Sequence, residues 1–304
     1  GPLPPTQEIG GKGHHLARLS ALAAAHGFAV PRFAVLRVAA FTTHAPVRGG
    51  HDLPADAWAD AVRSLACPDA IRDALCAMLA MLSPGALLAV RSSAVAEDAA
   101  GRSFAGQFLT VLGVRASADA WQPLWDAVRS VWASAGGAHA VAYGGGEGAP
   151  GASMAVVVQE MADAVVTGVA FTRDPASGAA DVTVVSAVYG LGEGLVSGEL
   201  DADTWRVDVH GGEPSGIQVS LAHKDRALRL DPAGTTHMEP VPDALRDLPA
   251  LTEPELRTLV TCANAIAAAS DGAQDIEWAL AGAERRLVVL QSRPITAAGA
   301  PAGT

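Results

Sequence analysis

The sequence feature that most constrains the fold is a pair of apolar segments that flank a short turn. Residues 274–280 read Gln-Asp-Ile-Glu-Trp-Ala-Leu, residues 287–294 read Leu-Val-Val-Leu-Gln-Ser-Arg-Pro, and small residues lie between them at 281–283. Two such segments around a turn predict a β-hairpin. Because side chains alternate between the two faces of a strand, Ile276 and Trp278 share one face of the first strand.

The opposite face of this hairpin is polar. Asp275 and Glu277 share it on the first strand. Gln291 and Arg293 share one face of the second strand. A carboxylate and an amide oxygen suit Mg²⁺, whose other positions are filled by phosphates and waters, and an arginine beside them can hold a phosphate with two hydrogen bonds. The alternative is a surface hairpin whose polar face meets only water, and this segment alone does not decide between the two.

The composition is that of a globular protein. The chain has 304 residues, of which 50% are hydrophobic and 17% are charged, so it is long enough for one large domain or two lobes. Its formal net charge of −11 argues against nucleic acid or an anionic membrane as the main partner. A local cationic pocket for a phosphate is compatible with this charge.

Several features of the sequence favour the cytoplasm. No apolar run approaches the ~18 residues that a membrane-spanning helix needs, and the first residues lack the basic flank and apolar segment of a signal peptide. The three cysteines, Cys67, Cys76 and Cys262, are scattered without a CxxC spacing, which indicates a reducing compartment and no structural zinc. We therefore expect a cytoplasmic protein without a membrane partner.

A glycine-rich segment near the start has the composition of a phosphate-binding loop. Residues 10–13 read Gly-Gly-Lys-Gly and open a helical pattern that ends at Gly27. Glycines before a helix let backbone amides approach a phosphate, the helix N-terminus adds positive potential, and Lys12 supplies a cation. The segment is not a Walker A loop, which needs GxxxxGK[ST]. An ordinary glycine-rich helix start is the alternative interpretation.

A predicted strand in the first half ends in an arginine and two serines. Residues 87–94 read Leu-Leu-Ala-Val-Arg-Ser-Ser-Ala. An arginine near the end of an apolar strand, followed by hydroxyl groups, is suited to hold a phosphate. The alternative is a structural ion pair between Arg91 and Glu97 or Asp98. A glycine turn at 103–107 then leads into another predicted strand.

The remaining elements predict a protein of mixed helices and strands. The glycine-rich residues 144–151 interrupt the preceding helical pattern completely and predict a boundary between two lobes. Thr252 and Glu255 have the spacing of a capping box at the start of a helix that runs to about residue 270. The other predicted elements are a helical stretch at 53–82 that breaks near 67–68, a helix around 121–132, and strands at 154–161, 168–175 and 182–188.

Eight short motifs follow one another along nearly the whole chain. They are Gly-Gly-Lys-Gly at 10–13, Val-Arg-Ser-Ser-Ala at 90–94, Ser-Phe-Ala-Gly-Gln at 103–107, Val-Gln-Glu-Met at 158–161, Phe-Thr-Arg-Asp-Pro at 171–175, Gly-Leu-Gly-Glu-Gly at 190–194, Asp-Ile-Glu-Trp at 275–278 and Leu-Gln-Ser-Arg-Pro at 290–294. In this order they resemble the N-terminal ATP-binding domain of phosphoenolpyruvate synthase, pyruvate phosphate dikinase and rifampicin phosphotransferase. Each motif is weak alone, but eight in the right order are specific.

The resemblance implies an α+β, ATP-grasp-like fold in which two lobes close on Mg-ATP, with the nucleotide site between them. Residues 1–151 would form the first lobe, residues 152–296 the second lobe, and residues 297–304 a tail. ATP and Mg²⁺ are the implied ligands. Phosphoryl transfer depends mostly on positioning and charge neutralisation, which a lysine, arginines and a metal site provide.

By position, the resemblance also implies a role for individual residues. Lys12 and Arg91 would hold phosphates from the first lobe, and Arg293 would contact the phosphates being transferred, so these three would be the catalytic cations. Glu277 and Gln291 would ligate Mg²⁺. The other implied nucleotide contacts are Gly106 and Thr110 in a phosphate-covering loop, and Gln159, Glu160 and Met161 on the adenine side.

Two departures from the family pattern matter. Members often carry Arg-Ala-x-x-Tyr-Arg after the helix near residue 132, whereas here His139 and Gly144 stand at the two arginine positions. The complete enzymes also hand the phosphate to a histidine of a Thr-Ser-His-Ala motif on a swivelling domain. The nearest match, Thr-His-Ala at 43–45, falls in a part of the ATP domain that has only a structural role. We therefore do not assign His44 as the histidine that carries the phosphate.

We therefore expect the ATP-binding, phosphoryl-donating component of a dikinase-type phosphotransferase. It would phosphorylate a carrier histidine on a separate chain or a further domain, without which it is incomplete, and ATP would yield AMP and phosphate. The histidine would then pass the phosphate to a small-molecule acceptor such as pyruvate, a phenol or an antibiotic hydroxyl. The alternatives are an ATP-sensing or regulatory module without turnover, which the missing arginines motivate, and a one-chain ATP-grasp ligase.

Overall fold

The computed structural model describes five segments of the chain, residues 3–46, 54–95, 109–142, 154–270 and 272–295. The chain divides into two compact units. Unit 1 comprises residues 1–17 and 32–161, and unit 2 comprises residues 18–31 and 162–304. The first helix, α1 (Thr6–His26), contributes its first part to unit 1 and its second part to unit 2.

Unit 1 is built on a four-stranded antiparallel sheet. After α1 its elements are β1 (Phe33–Leu36), α2 (Val38–His44), α3 (Ala55–Arg63), α4 (Asp69–Met81), β2 (Leu87–Ala94), β3 (Thr110–Arg115), α5 (Gln122–Ala142) and β4 (Met154–Glu160). The strand order is β1-β4-β2-β3. Alternation along β2 points Leu88 and Val90 into the hydrophobic core and places Arg91 and Ser93 on the opposite face.

The core of unit 1 is organised around Trp132 of α5, whose side chain is fully buried. The rings of Phe41 and Trp125 each meet the Trp132 ring edge to face with centroids 5.6 Å apart, and Trp58 of α3 meets Phe41 in the same manner. Edge-to-face aromatic pairs stabilise a core beyond the area that they bury. Since aromatics make up only 5% of the chain, this cluster is the centre around which smaller side chains pack.

Unit 2 is built on a six-stranded antiparallel sheet of order β12-β11-β5-β6-β7-β8, with a separate two-stranded hairpin of β9 and β10. Its elements are β5 (Ala164–Phe171), β6 (Val182–Tyr189), α6 (Glu193–Val196), β7 (Asp203–His210), β8 (Glu213–Ser220), β9 (Arg226–Leu230), β10 (Thr236–Pro240), α7 (Glu253–Ala269), β11 (Gln274–Ala281) and β12 (Arg286–Pro294).

Helix α7 covers one face of the six-stranded sheet, where it contacts β5, β8 and β11. Ile276 and Trp278 of β11 are fully buried, and Asn264 of α7 donates a hydrogen bond to the hydroxyl of Thr183 in β6 (3.0 Å). The opposite face of β11 carries Asp275 and Glu277. The predicted division of the hairpin into an apolar and a polar face is therefore confirmed.

The turn of the β11–β12 hairpin is fastened to the start of α7. Arg285 has a positive φ of 50°, a conformation that is strained for residues other than glycine. Its Nε donates to Oε1 of Glu255 (2.6 Å) and its Nη2 to the carbonyl oxygen of Ala250 (2.8 Å). Burial opposes ionisation of Glu255, but its hydrogen bonds with Arg285 and Thr252 hold its pKa below the ordinary value. The same carboxylate completes the predicted capping box with Thr252.

Most of the predicted elements are present, and their limits differ in places. Helix α1 begins at Thr6, four residues before the glycines that were expected to open it, because the kink at Gly10 does not end the helix. Helix α2, the short helix α6 and strand β10 were not predicted. The glycine-rich boundary at 144–151 lies outside the described residues, and β4, which follows it, pairs with β1 and β2 in unit 1. The lobe limits given above stay a prediction.

Within the described segments, no helix combines the length and the hydropathy needed to cross a bilayer.

We expect Trp132→Ala to lower the free energy of unfolding by about 3–5 kcal/mol, since it empties the centre of the aromatic cluster. The control Met81→Ala removes a side chain that is 61% exposed and should change the same quantity by less than about 0.5 kcal/mol. Urea unfolding followed by circular dichroism measures both. Equal effects of the two substitutions would contradict this account of the core.

Candidate functional site

A kink in α1 places Lys12 beside the end of β2. Gly10 has a φ of 69° and interrupts the helical conformation, and a Cβ at this position would lie 1.9 Å from the carbonyl oxygen of Ser93. Only glycine fits this close approach. The hydroxyl of Ser93 donates to the carbonyl oxygen of Ile9 (2.8 Å) and accepts from the backbone N–H of Gly13 (3.0 Å). Lys12 therefore lies in the turn of α1 that Ser93 holds.

Arg91 lies on the same face of β2 as Ser93, two residues earlier. Thr110 of β3 is its direct neighbour across the strand pair, and Nη1 of Arg91 donates to Oε1 of Gln159 in β4 over a long distance of 3.5 Å. Unit 1 thus brings together four of the predicted site residues, Lys12, Arg91, Thr110 and Gln159, around β2.

The two other residues predicted on the adenine side have side chains that contact the backbone of unit 1. Oε1 of Glu160 accepts a hydrogen bond from the N–H of Ser83 (2.5 Å). The sulfur of Met161 accepts a weak one from the N–H of Gly113 (3.2 Å). These contacts fix the end of β4, where the backbone N–H groups of Glu160 and Met161 also donate to the carbonyl oxygens of Arg32 and Leu87.

Some of the residues named in the sequence analysis cannot be placed. Gly106, Glu97, Asp98 and Gly144 lie outside the described residues. Of His139 only the helical backbone within α5 is described.

In unit 2 the register of the β11–β12 hairpin aligns the predicted metal and phosphate residues in two cross-strand pairs. Glu277 lies opposite Gln291, and Asp275 lies opposite Arg293. A β-bulge after Glu277 leaves Leu290 as the extra residue of β12, since Trp278 pairs with Val289. The hairpin therefore places a carboxylate next to an amide in one pair, and a carboxylate next to a guanidinium in the pair beside it.

The second pair is an ion pair with both contacts on one oxygen. Nε and Nη2 of Arg293 donate to Oδ2 of Asp275 at 2.8 and 2.6 Å. Burial raises the pKa of Asp275 above its ordinary value and outweighs the opposing effect of Arg293. The contact holds one side of the guanidinium and fixes its plane at the polar face of the hairpin.

The first pair contains a buried acceptor without a donor. Gln291 is 6% exposed, and within the described part of the chain no hydrogen-bond donor reaches its Oε1. A buried polar atom left unsatisfied costs stability. A ligand that contacts Oε1 would remove this cost. An amide oxygen directly across from the Glu277 carboxylate fits a hard cation such as Mg²⁺.

The donor set also limits which metal fits. Across the described residues, no cluster of three or more histidine, cysteine, aspartate or glutamate side chains could hold a metal ion. A structural zinc site, which is closed by four protein ligands, is therefore absent from them. Mg²⁺ takes one or two protein oxygens and completes its shell with phosphates and water, which is the arrangement that Glu277 and Gln291 offer.

The chain contains only two lysines, and the second of them is committed to structure. Lys224 is 3% exposed, and its Nζ donates to Oδ1 of Asp203 (2.7 Å) and to the carbonyl oxygen of Ala222 (3.0 Å). Asp203 is itself fully buried and accepts backbone N–H groups from Ala222 and Ala250. The prediction of a phosphate contact therefore concerns Lys12 and does not extend to Lys224.

Residues 54–303 match the family model of the pyruvate phosphate dikinase AMP/ATP-binding domain. The chain belongs to this family. Membership confirms the resemblance inferred from the eight motifs and the α+β, ATP-grasp-like class of the fold, and it makes the chain an ATP-binding domain of the dikinase family.

Several curated relatives support the assignment. The prodigiosin synthesizing transferase PigC of Serratia marcescens is 38% identical over 242 residues, which cover 80% of this chain and 26% of PigC. A rifampicin phosphotransferase of Streptomyces sp is 36% identical over 95% of this chain and 34% of that enzyme. A probable phosphoenolpyruvate synthase of Methanothermobacter thermautotrophicus is 36% identical over 70% of this chain and 30% of that protein. The chain thus spans about a quarter to a third of these relatives.

Among solved structures, the macrocyclase MdnC of Microcystis aeruginosa MRC aligns over 91% of this chain and 51% of MdnC, with a TM-score of 0.28 and 8% sequence identity. A likeness at this level does not establish a common fold.

Sequence reasoning missed two residues that the structure brings to these sites. Asp275 was assigned to the polar face, but its bond with Arg293 depends on the register of the hairpin, which the bulge at Glu277 sets. Ser93 was counted only among hydroxyls near Arg91. Its hydroxyl accepts a hydrogen bond from the N–H of Gly13, 80 residues away in the sequence. No local sequence pattern predicts a contact over that separation.

Replacing Gln291, whose amide oxygen is unsatisfied, should change the stability of the chain and its affinity for a metal ion in opposite directions. We expect Gln291→Met to raise the free energy of unfolding of the metal-free chain by about 1 kcal/mol, because it removes a buried acceptor without a donor. We also expect it to weaken Mn²⁺ binding, in the presence of a non-hydrolysable ATP analogue, by roughly tenfold or more. Urea unfolding and electron paramagnetic resonance of free Mn²⁺ measure the two quantities.

Gln274→Met is the matched control. Gln274 is also buried in this hairpin, but its Oε1 accepts from the hydroxyl of Ser292 (2.7 Å). The control should therefore destabilise the chain and leave the affinity for Mn²⁺ unchanged. If Gln291→Met lost stability as the control does, the amide oxygen would have a structural partner and no role in metal binding.

Proposed function

We propose that this chain is the ATP-binding, phosphoryl-donating component of a dikinase-type phosphotransferase. The observation that carries the proposal is the pair of Glu277 and Gln291, in which a buried amide oxygen without a donor lies across from a carboxylate. Beside it lies Arg293, held by Asp275. A cation and phosphates satisfy both features at once, and membership of an AMP/ATP-binding family supports ATP as their source.

The roles of the residues follow from their chemistry. Glu277 and Gln291 would hold Mg²⁺, which when bound neutralises phosphate charge. Arg293 would grip the phosphates being transferred, because Asp275 occupies one side of its guanidinium and orients the remaining N–H groups. Lys12 and Arg91 of unit 1 would hold other phosphate oxygens. Since phosphoryl transfer depends mostly on positioning and charge neutralisation, these groups supply what it needs.

The other nucleotide contacts of the proposal lie along β3 and β4. Gln159, Glu160 and Met161 would lie on the adenine side. Thr110, directly across from Arg91, would meet a phosphate together with Gly106. We keep the cytoplasm as the expected compartment, since ATP and a reducing medium for three unpaired cysteines are found there.

The phosphate would leave this chain on a histidine outside it. A histidine ring nitrogen attacks the β-phosphorus of ATP, the bond to the α-phosphate oxygen breaks, and AMP departs. Water then releases the γ-phosphate as inorganic phosphate, and an acceptor hydroxyl takes the remaining phosphoryl group from histidine. One ATP, one water and one acceptor thus give AMP, phosphate and the phosphorylated acceptor. His44, at the end of α2, lacks the carrier motif, so we assign the histidine to another chain or domain.

The acceptor is proposed only as a class. The relatives named above include a rifampicin phosphotransferase and a probable phosphoenolpyruvate synthase, which favours a small molecule such as an antibiotic hydroxyl or pyruvate, with a phenol as a third case. Each relative is three to four times longer than the matched region, which favours a carrier and an acceptor site in parts of the protein beyond this domain.

A second candidate is an ATP-sensing module without turnover. The observation in its favour is the replacement of two family arginines by His139 and Gly144, which removes cations from the phosphate region. The retained pair of Glu277 and Gln291 argues against it, because a site freed from catalysis gains stability by losing an unsatisfied buried amide.

The test is product analysis of ATP with this chain and a recombinant carrier domain of the family. We expect AMP and phosphohistidine only when the carrier is present. Glu277→Ala and Arg293→Ala should each lower the rate roughly 100-fold or more. The controls Glu284→Ala and Arg286→Ala remove exposed charges near the turn of the same hairpin, with side chains 84% and 70% exposed, and should keep the wild-type rate.

Three results would redirect the proposal. Wild-type rates in both Glu277→Ala and Arg293→Ala would remove these residues from the site. ADP formed without any carrier would indicate direct transfer or a ligase. Tight binding of Mg-ATP with no product under any condition would establish the sensing module instead.

A further inference from the structure

The hydroxyl of Ser93 occupies the place of a helical hydrogen bond in α1. In an unbroken α-helix the N–H of Gly13 donates to the carbonyl oxygen of Ile9, four residues earlier. Here Ser93 Oγ accepts from Gly13 (3.0 Å) and donates to Ile9 (2.8 Å). One side chain from β2 therefore stands between the two partners and satisfies both, so α1 is opened at this turn but leaves neither backbone group unpaired.

The turn that Ser93 opens is the one that contains Lys12. Residues 10–12 lie between the two separated partners, and Gly10 adopts the φ of 69° and ψ of 175° that the opening requires. A side chain at Gly10 would collide with the backbone of Ser93, at 1.9 Å from its carbonyl oxygen. The position of Lys12 is thus set by a contact with β2 and not by helical geometry alone.

The same strand carries Arg91 two residues before Ser93. Positions i and i+2 of a strand point to one face and lie about 7 Å apart. Ser93 therefore fixes the Lys12 turn at a set distance from Arg91, the other residue of unit 1 to which the proposed function assigns phosphate oxygens. Ser93 is fully buried, so this link is shielded from water.

We infer that Ser93 is a positioning residue that holds Lys12 for the phosphates of ATP. This inference rests on the proposed function of the chain. It assigns to Ser93 no contact with the nucleotide. The hydroxyl acts through the backbone of residues 9–13, and its removal should cost nucleotide affinity only because Lys12 then moves.

A double-mutant cycle distinguishes this role from a general loss of stability. The measured quantity is the dissociation constant of Mg²⁺ with a non-hydrolysable ATP analogue, by calorimetry below the unfolding temperature. We expect Ser93→Ala to weaken binding about tenfold in the wild-type chain and by less than about twofold in a Lys12→Met background. Ser130→Ala is the control: its hydroxyl donates to the carbonyl oxygen of Asp126 (2.8 Å) on α5, and binding should not change.

Ser93→Cys covers the case in which the alanine variant does not fold. The thiol fills nearly the same space but forms only weak hydrogen bonds, and the expected loss has the same direction and the same dependence on Lys12. Because the chain has two lysines and Lys224 is buried, reductive methylation read by mass spectrometry reports on Lys12. Mg-ATP should protect Lys12 in the wild type and in Ser130→Ala, and much less in Ser93→Cys.

Losses of equal size with and without Lys12 would overturn this inference while leaving the proposed function intact. A wild-type chain that bound no nucleotide would overturn both.

Discussion

The pairing register of β11 and β12 is the constraint on which the functional reading of this protein depends. A shift of one residue would turn every side chain of a strand to the other face. The observed register, with its bulge after Glu277, puts Gln291 across from that carboxylate and Arg293 across from Asp275. Neighbours hold it in place: β5 pairs along the other edge of β11, and Arg285 ties the hairpin turn to the start of α7.

Each unit contains a local irregularity that the proposed chemistry uses. In unit 2 it is the buried Oε1 of Gln291, for which the described residues supply no donor. In unit 1 it is the opened turn of α1, which requires Gly10 in a left-handed conformation and Ser93 between two backbone partners. Functional sites are where such departures from well-satisfied packing concentrate. Many other buried polar groups are paired, as in the ion pair of Asp203 and Lys224; the indole N–H groups of Trp132 and Trp278 are exceptions among the described residues.

Much of this arrangement follows from the sequence, since local patterns predicted the hairpin, its polar face and the capping box of Thr252 and Glu255. The motifs also predicted the family. Local patterns could not predict contacts between distant segments. The bond of Ser93 to Gly13 crosses 80 residues, and the place of β4 in the first sheet depends on pairing with both β1 and β2. The predicted start of α1 was wrong because the glycines at 10–13 were interpreted as the beginning of the helix, whereas Gly10 forms a kink inside the helix.

A crystal structure with Mn²⁺ and a non-hydrolysable ATP analogue, with the metal located from its anomalous signal, would test whether Glu277 and Gln291 hold the metal. We expect a peak about 2.0–2.3 Å from Oε1 of Gln291 and from a carboxylate oxygen of Glu277, with phosphate oxygens and water as the other ligands. A metal held by the phosphates alone, with the Gln291 amide still unsatisfied, would contradict this expectation. So would a metal bound by other protein side chains.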